Sequence, residues 1–144
     1  MTFAYFDTSA LVKRYVREQG STQIRSLMRR YDLLSSAITP VEILSAIWRR
    51  QRDGDLSDKD FSTLLSRVQG ERIRWELVEV GDAVLTQAEK IIQIPLPMRT
   101  LDAVHVASLI TFQAAASVQI PFVTSDARQR DAATHLELDV VWIG

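Results

Sequence analysis

The chain has 144 residues, 47% hydrophobic and 24% charged, with a formal net charge of −1. This is the make-up of one soluble domain, 1–144, able to bury a core without staples, and it offers no global basic field for nucleic acid. Cysteine is absent, which excludes disulfides and thiolate metal sites and leaves oxygen or the two histidines to hold any cation.

Phe3 to Phe6 is a short apolar run that reads as a strand buried on both faces. It ends at Asp7, and Thr8-Ser9 opens a helix with Val12, Tyr15 and Val16 at helical spacing. A strand handing over to a helix through Asp-Thr-Ser places the Asp at the carboxyl end of a sheet strand, the edge where open α/β sheets bind ligands. A plain helix cap at Asp7 or Thr8 explains the same residues. Gly20-Ser21 punctuates, with Ser21 expected to cap a second helix through Tyr31 that turns Ile24, Leu27 and Met28 inward.

Leu33 to Ile38 reads as a second strand. Thr39-Pro40 then starts a helix with a hydroxyl cap and proline at the first position. Glu42 stands where a capping box places its acid. On the helical wheel Val41, Leu44 and Trp48 form an apolar stripe that Ile43 and Ile47 widen, so the helix is expected to be mostly buried, with its one early acid near the positive end of the dipole. Asp53-Gly54-Asp55 ends it. Ser57 caps another helix carrying Phe61, Leu64, Leu65 and Val68. Trp75 to Val80 alternates as a third strand, and Asp82 opens a helix with Val84, Leu85, Ala88 and Ile92 inward.

Thr100 is expected to cap the most apolar helix, Leu101 to about Ala116, whose hydrophobic residues cover nearly the whole circumference. An ionised Asp102 in its first turn is costly unless paired, hydrogen-bonded or metal-bound. His105, at i+3, is placed to hydrogen-bond Asp102 or a ligand. Ile120 to Thr124 forms a fourth strand, after which Ser125-Asp126 repeats the opening theme of strand, hydroxyl, acid and helix (Ala127 to Leu136). Asp131 reads as surface, and Val140 to Ile143 closes the sheet. The run Leu101 to Val118 is broken by Asp102, His105 and Gln113, so no segment is expected to span a membrane. The N-terminus lacks a signal-peptide pattern, which predicts a cytoplasmic chain.

Alternating strands and helices predict a parallel α/β sheet with helices on both faces, and right-handed crossovers put every strand's carboxyl end on one edge. Asp7 and Asp126 follow strands; Glu42 and Asp102 sit in first turns of helices that begin at that edge. Four carboxylates so placed repel, and Mg²⁺ or Mn²⁺ resolves the repulsion, since hard ions prefer oxygen and serve phosphoryl chemistry. Of the 17 basic residues 14 are arginines, whose planar fork suits phosphate, although most of them read as solvated helix faces.

These residues also carry a resemblance. Asp7-Thr8-Ser9-Ala10-Leu11 resembles the opening motif of PIN-domain ribonucleases, Thr39-Pro40-Val41-Glu42 the second acid, Leu101 to Ala107 the third motif and Val123-Thr124-Ser125-Asp126 the fourth. Within the family the chain is most similar to VapC-like toxins of type II toxin–antitoxin systems. The resemblance implies a three-layer α/β/α fold with strand order 3-2-1-4-5, and a Mg²⁺- or Mn²⁺-dependent endoribonuclease acting on RNA phosphodiesters. It further implies Asp7, Glu42, Asp102 and Asp126 as catalytic and metal-holding acids, with Thr8, Ser9 and Thr124 as hydrogen-bonding supports, to which His105 adds itself. A cognate antitoxin and a homodimer are the partners it implies; Tyr15 and Trp48 are the candidate antitoxin-docking residues, since aromatic residues are enriched at binding hot spots. The stretch Asp53 to Arg74 matches no motif.

Other classes fit less well. A haloacid-dehalogenase phosphatase needs a second Asp two residues after the first, where Ser9 stands, and a phospho-receiver needs an acidic pair and a late lysine that are absent. A non-toxin PIN domain in RNA processing, or a non-catalytic RNA- or protein-binding scaffold, is the remaining alternative; four mutually repelling acids argue against pure binding.

Overall fold

The apolar strand β1 (Phe3–Phe6) is the centre of the sheet. The computed structural model describes residues 2–144. It sets β2 (Asp32–Ser36) and β3 (Glu76–Val78) to one side of β1, and β4 (Phe122–Thr124) and β5 (Val140–Trp142) to the other. Every pairing is parallel, so the order is β3-β2-β1-β4-β5, the order the resemblance implied.

The helices are α1 (Thr8–Tyr15), α2 (Ser21–Arg30), α3 (Thr39–Arg52), α4 (Asp58–Glu71), α5 (Asp82–Ile91), α6 (Thr100–Ala116) and α7 (Ala127–His135), with a single 3₁₀ turn at Arg72–Arg74. Alternation along β1 splits the core. Ala4 and Phe6 face Leu11, Ile24, Ile43 and Val68 of the first four helices, whereas Tyr5 faces Val84, Ala107, Leu109 and Ala132 of the last three. The chain therefore winds outward first along one half of the sheet and then along the other, and the direction reverses between β1 and β4. A crevice opens at the carboxyl ends of the strands where such a reversal occurs. Asp7 and Asp126 follow the two strands that border it.

Several boundaries differ from the sequence expectation. β2 begins at Asp32 and stops at Ser36; one more bond to β3 follows, from the Ala37 amide to Val78 O, before the chain turns into α3. Thr39 does not cap α3: Ile38 holds the cap position and the Thr39 hydroxyl, fully buried, bonds Ser35 Oγ at 2.7 Å. Glu42 is thereby released from the expected capping box. Ser21 opens α2 rather than capping it. Its hydroxyl ties the Glu18 amide to Val16 O, while Gly20 ahead of it takes φ 90°, in contact so close that a Cβ would stand 2.5 Å from Ile143 Cγ2.

The exposed face of α3 is a further correction. Ile43 and Ile47 reach the core, but Val41, Leu44 and Trp48 are 64%, 40% and 52% exposed. A wheel with two apolar arcs does not state which arc meets the sheet, and the arc at Ile43 and Ile47 does. Tyr15, expected on a docking surface, is instead buried: its hydroxyl donates to Glu71 Oε1 at 2.7 Å and its ring lies against Trp75. A residue so enclosed has no face left for a partner. Among the described residues no helix is long and apolar enough to cross a membrane.

Candidate active site

Asp7 closes β1 and caps α1. Its Oδ1 accepts the Ala10 amide at 2.9 Å and the Ser9 hydroxyl at 2.7 Å, and its Oδ2 accepts the Thr124 hydroxyl at 2.5 Å. The capping reading of Asp7 therefore holds as well, but it accounts for only one of the two oxygens. The residue is fully buried. Burial pushes its carboxyl above the ordinary range, against the pull of His105, Thr124, the Ala10 amide and Ser9. Ser9 also accepts the Ser125 amide and Thr124 accepts the Asp126 amide, each at 3.0 Å, so β1 and β4 are laced together around this one carboxylate.

Glu42 projects from the first turn of α3. Its Oε1 accepts the Thr8 hydroxyl at 2.6 Å and lies 2.7 Å from His105 Nε2. The burial of this side chain would raise its carboxyl, but the hydrogen bond and charge of His105, helped by Thr8, bring it below the usual value. His105, which the spacing offers to Asp102 or to a ligand, does not bond Asp102 and reaches across the sheet edge to α3. Its Nδ1 stands 2.8 Å from the Tyr5 hydroxyl. In the neutral ring only the Nε2–H tautomer serves both neighbours, since a carboxylate only accepts and the phenol then donates to Nδ1.

Asp102 is the most fully paired acid after Asp7. Oδ2 accepts the Arg99 amide at 3.0 Å, the N-terminal orphan donor of α6, and Oδ1 accepts Gln129 Nε2 at 3.1 Å. Arg128 Nε lies 3.3 Å from Oδ2. Asp126 caps α7 through Oδ1, accepting the amides of Arg128 and Gln129. Asp131 stays at the surface against Arg130.

The structure brings Glu42, Asp102 and Asp126 to the wall of one open cavity of about 1060 Å³, together with Thr8, Ser9 and His105. Asp7 and Thr124 lie buried, with Asp7 held between Ser9 of that wall and Thr124. Among the described residues no three acids or histidines are gathered closely enough to hold a metal ion together. Each carboxylate is held by its own hydrogen bonds, and Arg128 stands between Asp102 and Asp126. Glu42, Asp102 and Asp126 nevertheless offer the cavity they line only carboxylate oxygens. That suits a Mg²⁺-like ion, which keeps several waters and needs only one or two carboxylates. Lys13, Arg49, Arg50, Arg99 and Arg128 line the same cavity together with Glu18, Asp53 and Asp55, and Lys13 and Arg50 are paired with Glu18.

Tyr5, Arg128 and Gln129 were not singled out from the sequence. Strand alternation does carry a signal for Tyr5, which shares the face of Asp7 two residues on. Arg128 and Gln129 occupy the first turn after the cap Asp126, and any residue there returns to the same sheet edge.

A family model described as PIN domain matches residues 4–134. Ribonuclease VapC46 of Mycobacterium tuberculosis is 35% identical over 142 residues, 98% of each chain. Two solved structures share the fold. FitAcB from Neisseria gonorrhoeae superposes with a TM-score of 0.74 at 14% identity, covering 96% of both chains. VapBC2 from Rickettsia felis, bound to a DNA fragment from its promoter, superposes with a TM-score of 0.66 at 12% identity, covering 99% of this chain and 100% of that one.

Proposed function

Because the chain belongs to the PIN-domain family, we propose that it is a divalent-metal-dependent endoribonuclease and the toxin of a toxin–antitoxin pair. The observation that carries this reading is the cavity itself: Glu42, Asp102 and Asp126 line it beside buried Asp7, with Arg49, Arg99 and Arg128 on the same lining. A binding-only surface for a polyanion has no use for acids at its centre.

Asp7, Glu42, Asp102 and Asp126 would hold Mg²⁺ or Mn²⁺, which when bound supplies the positive charge that activates water and steadies the leaving oxygen of a phosphodiester. The chain's own groups do the positioning. Thr124 and Ser9 fix both oxygens of Asp7, and Ser9 does so while gripping the Ser125 amide of the neighbouring strand. His105 and Thr8 hold Glu42 by Oε1 and keep it ionised. Arg49 of α3 and Arg99, the residue before α6, line the space a phosphate chain would cross.

The test is an RNA pool incubated with the purified protein, with Mg²⁺ or Mn²⁺ and with chelator. Cleavage is expected with either ion, to vanish with chelator and to return with excess Mn²⁺. Cleavage that persists in chelator contradicts a metal mechanism, and no cleavage under any condition favours the non-catalytic scaffold.

The antitoxin has a candidate seat on the outer arc of α3, where Val41, Leu44 and Trp48 recur at i, i+3 and i+7 and remain exposed. That spacing matches an amphipathic helix or extended apolar segment laid along it, and Trp48 is the residue type most enriched at binding hot spots. Trp48 does not line the acidic cavity. Trp48→Ala is therefore expected to weaken capture by the product of the neighbouring antitoxin gene about tenfold or more, with cleavage by the free protein unchanged. Undiminished capture removes Trp48 from the interface.

A further inference from the structure

Arg128 is oddly placed for a structural residue. It is the second residue of α7, where a cation opposes the positive end of the helix dipole. Its Nε is buried yet makes no hydrogen bond, although it lies 3.3 Å from Asp102 Oδ2, and its Nη2 is 3.9 Å from Asp126 Oδ2. The guanidinium is thus held by charge between two acids of the cavity without the aligned, two-pronged geometry that makes an arginine–carboxylate pair strong. Its side chain is 39% exposed. Beside it Gln129, 5% exposed, donates to Asp102 and leaves Oε1 buried with no partner. Two adjacent residues of the cavity therefore each carry an orphan polar atom. An unpaired N–H beside Asp102 and an unpaired amide oxygen on the next residue leave hydrogen bonds for water or a ligand to complete.

We propose that Arg128 is a phosphate-binding residue that occupies the acid pair Asp102 and Asp126 when no cation is there, and turns to an RNA phosphate once a cation takes its place. The inference rests on the ribonuclease reading above and assigns it a substrate contact. Guanidinium and divalent cation want the same carboxylate oxygens, so each weakens the other's hold on them. When the cation neutralises Asp102 and Asp126, the attraction that holds Arg128 is gone and its Nε needs an acceptor. A phosphate oxygen at the cavity is the acceptor an RNA chain offers, and the fork geometry of arginine fits it. Loading of the metal and gripping of the RNA are thereby coupled through one side chain.

Two measurements on the full chain test this, on wild type, Arg128→Ala and Arg128→Lys. The first is calorimetric titration with Mn²⁺ alone. Arg128→Ala is expected to bind Mn²⁺ about three- to fivefold more tightly than wild type, the scale of a partly exposed ion pair removed as competitor. Arg128→Lys is expected to stay near wild type. The second is anisotropy of a labelled single-stranded RNA of mixed sequence at saturating Ca²⁺, read at several salt concentrations. Arg128→Ala is expected to bind about tenfold more weakly, with the slope of log affinity against log salt flattened by about 0.7, the signature of one lost phosphate contact. Lysine is expected to restore the slope and only part of the affinity, since it keeps the charge but not the fork.

Mn²⁺ affinity equal to or weaker than wild type in Arg128→Ala overturns the competition. Unchanged RNA affinity and salt slope overturn the phosphate contact. Failure of the ribonuclease reading looks different: wild type then binds no Mn²⁺, or binds RNA with no dependence on any ion, whatever stands at position 128.

Discussion

Asp7→Asn is expected to abolish RNA cleavage, by about a hundredfold or more, while raising the melting temperature of the metal-free protein. Both effects come from one atom substitution at a fully buried position. Asparagine keeps the shape: its Oδ1 accepts the Ala10 amide and the Ser9 hydroxyl as Asp7 does, and its amide donates to Thr124 Oγ1, whose own proton then turns toward Asp126 O. What it loses is the charge. Partners of metal ligands alone cost ten- to a hundredfold when removed, so loss of a ligand's charge lies at or beyond the top of that range. The stability gain follows from the raised carboxyl of Asp7. A carboxyl whose folded pKa lies above its unfolded value binds its proton more tightly in the fold, so stability falls as pH rises from about 3.9 through the raised value and stays lowered at neutral pH. Asparagine removes that loss. The variant should melt higher than wild type at neutral pH, by about 3 °C for each kcal/mol relieved in a chain of this size, and the gap should close in acid. Added Mn²⁺ should stabilise wild type by mass action and the variant much less. Scanning calorimetry across pH, with and without Mn²⁺, reads all of this. A variant that cuts RNA like wild type reduces Asp7 to a helix cap.

How far the site could be read beforehand depends on what each residue's position hangs on. Asp7 and Asp126 were legible because one directly follows an apolar strand and the other stands two residues past one, and the topology rules then assign both to one edge without further information. The strand order itself follows from the family pattern, although β3 came out as Glu76–Val78 within the longer alternating run Trp75 to Val80. Pairing length is set by the neighbour, and β2 leaves the sheet at Ser36. Partners distant in sequence were not legible. His105 bonds Glu42, 63 positions away, and Tyr5, 100 positions away, where local spacing had offered Asp102. The outward arc of α3 was misassigned because hydrophobicity marks both arcs alike and only the docked sheet chooses between them. Tyr15 was misplaced for the complementary reason: an aromatic ring with a polar tip reads as interface material, yet Glu71 of α4 satisfies its hydroxyl inside the fold. Arg128 announced nothing in a chain with 14 arginines.

His105→Ala is expected to be the most damaging single change outside the acids, because it breaks a buried chain of hydrogen bonds at its middle. The ring is 1% exposed and joins Tyr5, itself fully buried, to Glu42. Its removal leaves the Tyr5 hydroxyl without its acceptor at Nδ1, which costs about 1–3 kcal/mol, and leaves a void beneath the cavity that adds to it. A fall of roughly 6 to 12 °C in melting temperature follows for a chain this long. The functional loss is separate. Glu42 keeps its burial, which raises its carboxyl, but loses the His105 bond and charge that outweighed it. Its folded pKa moves up, so the acidic limb of the cleavage–pH profile should shift to higher pH and the variant should recover part of its activity as pH rises. Tyr5→Phe separates the two effects. It deletes only the far hydroxyl, about 1 kcal/mol, and leaves His105 in place against Glu42, so its pH profile should stay near that of wild type. Were Tyr5→Phe to shift the acidic limb as far as His105→Ala does, the hold on Glu42 would depend on the tautomer set by Tyr5 rather than on the imidazole alone. Were neither to shift it, His105 would be a core residue that merely touches the site.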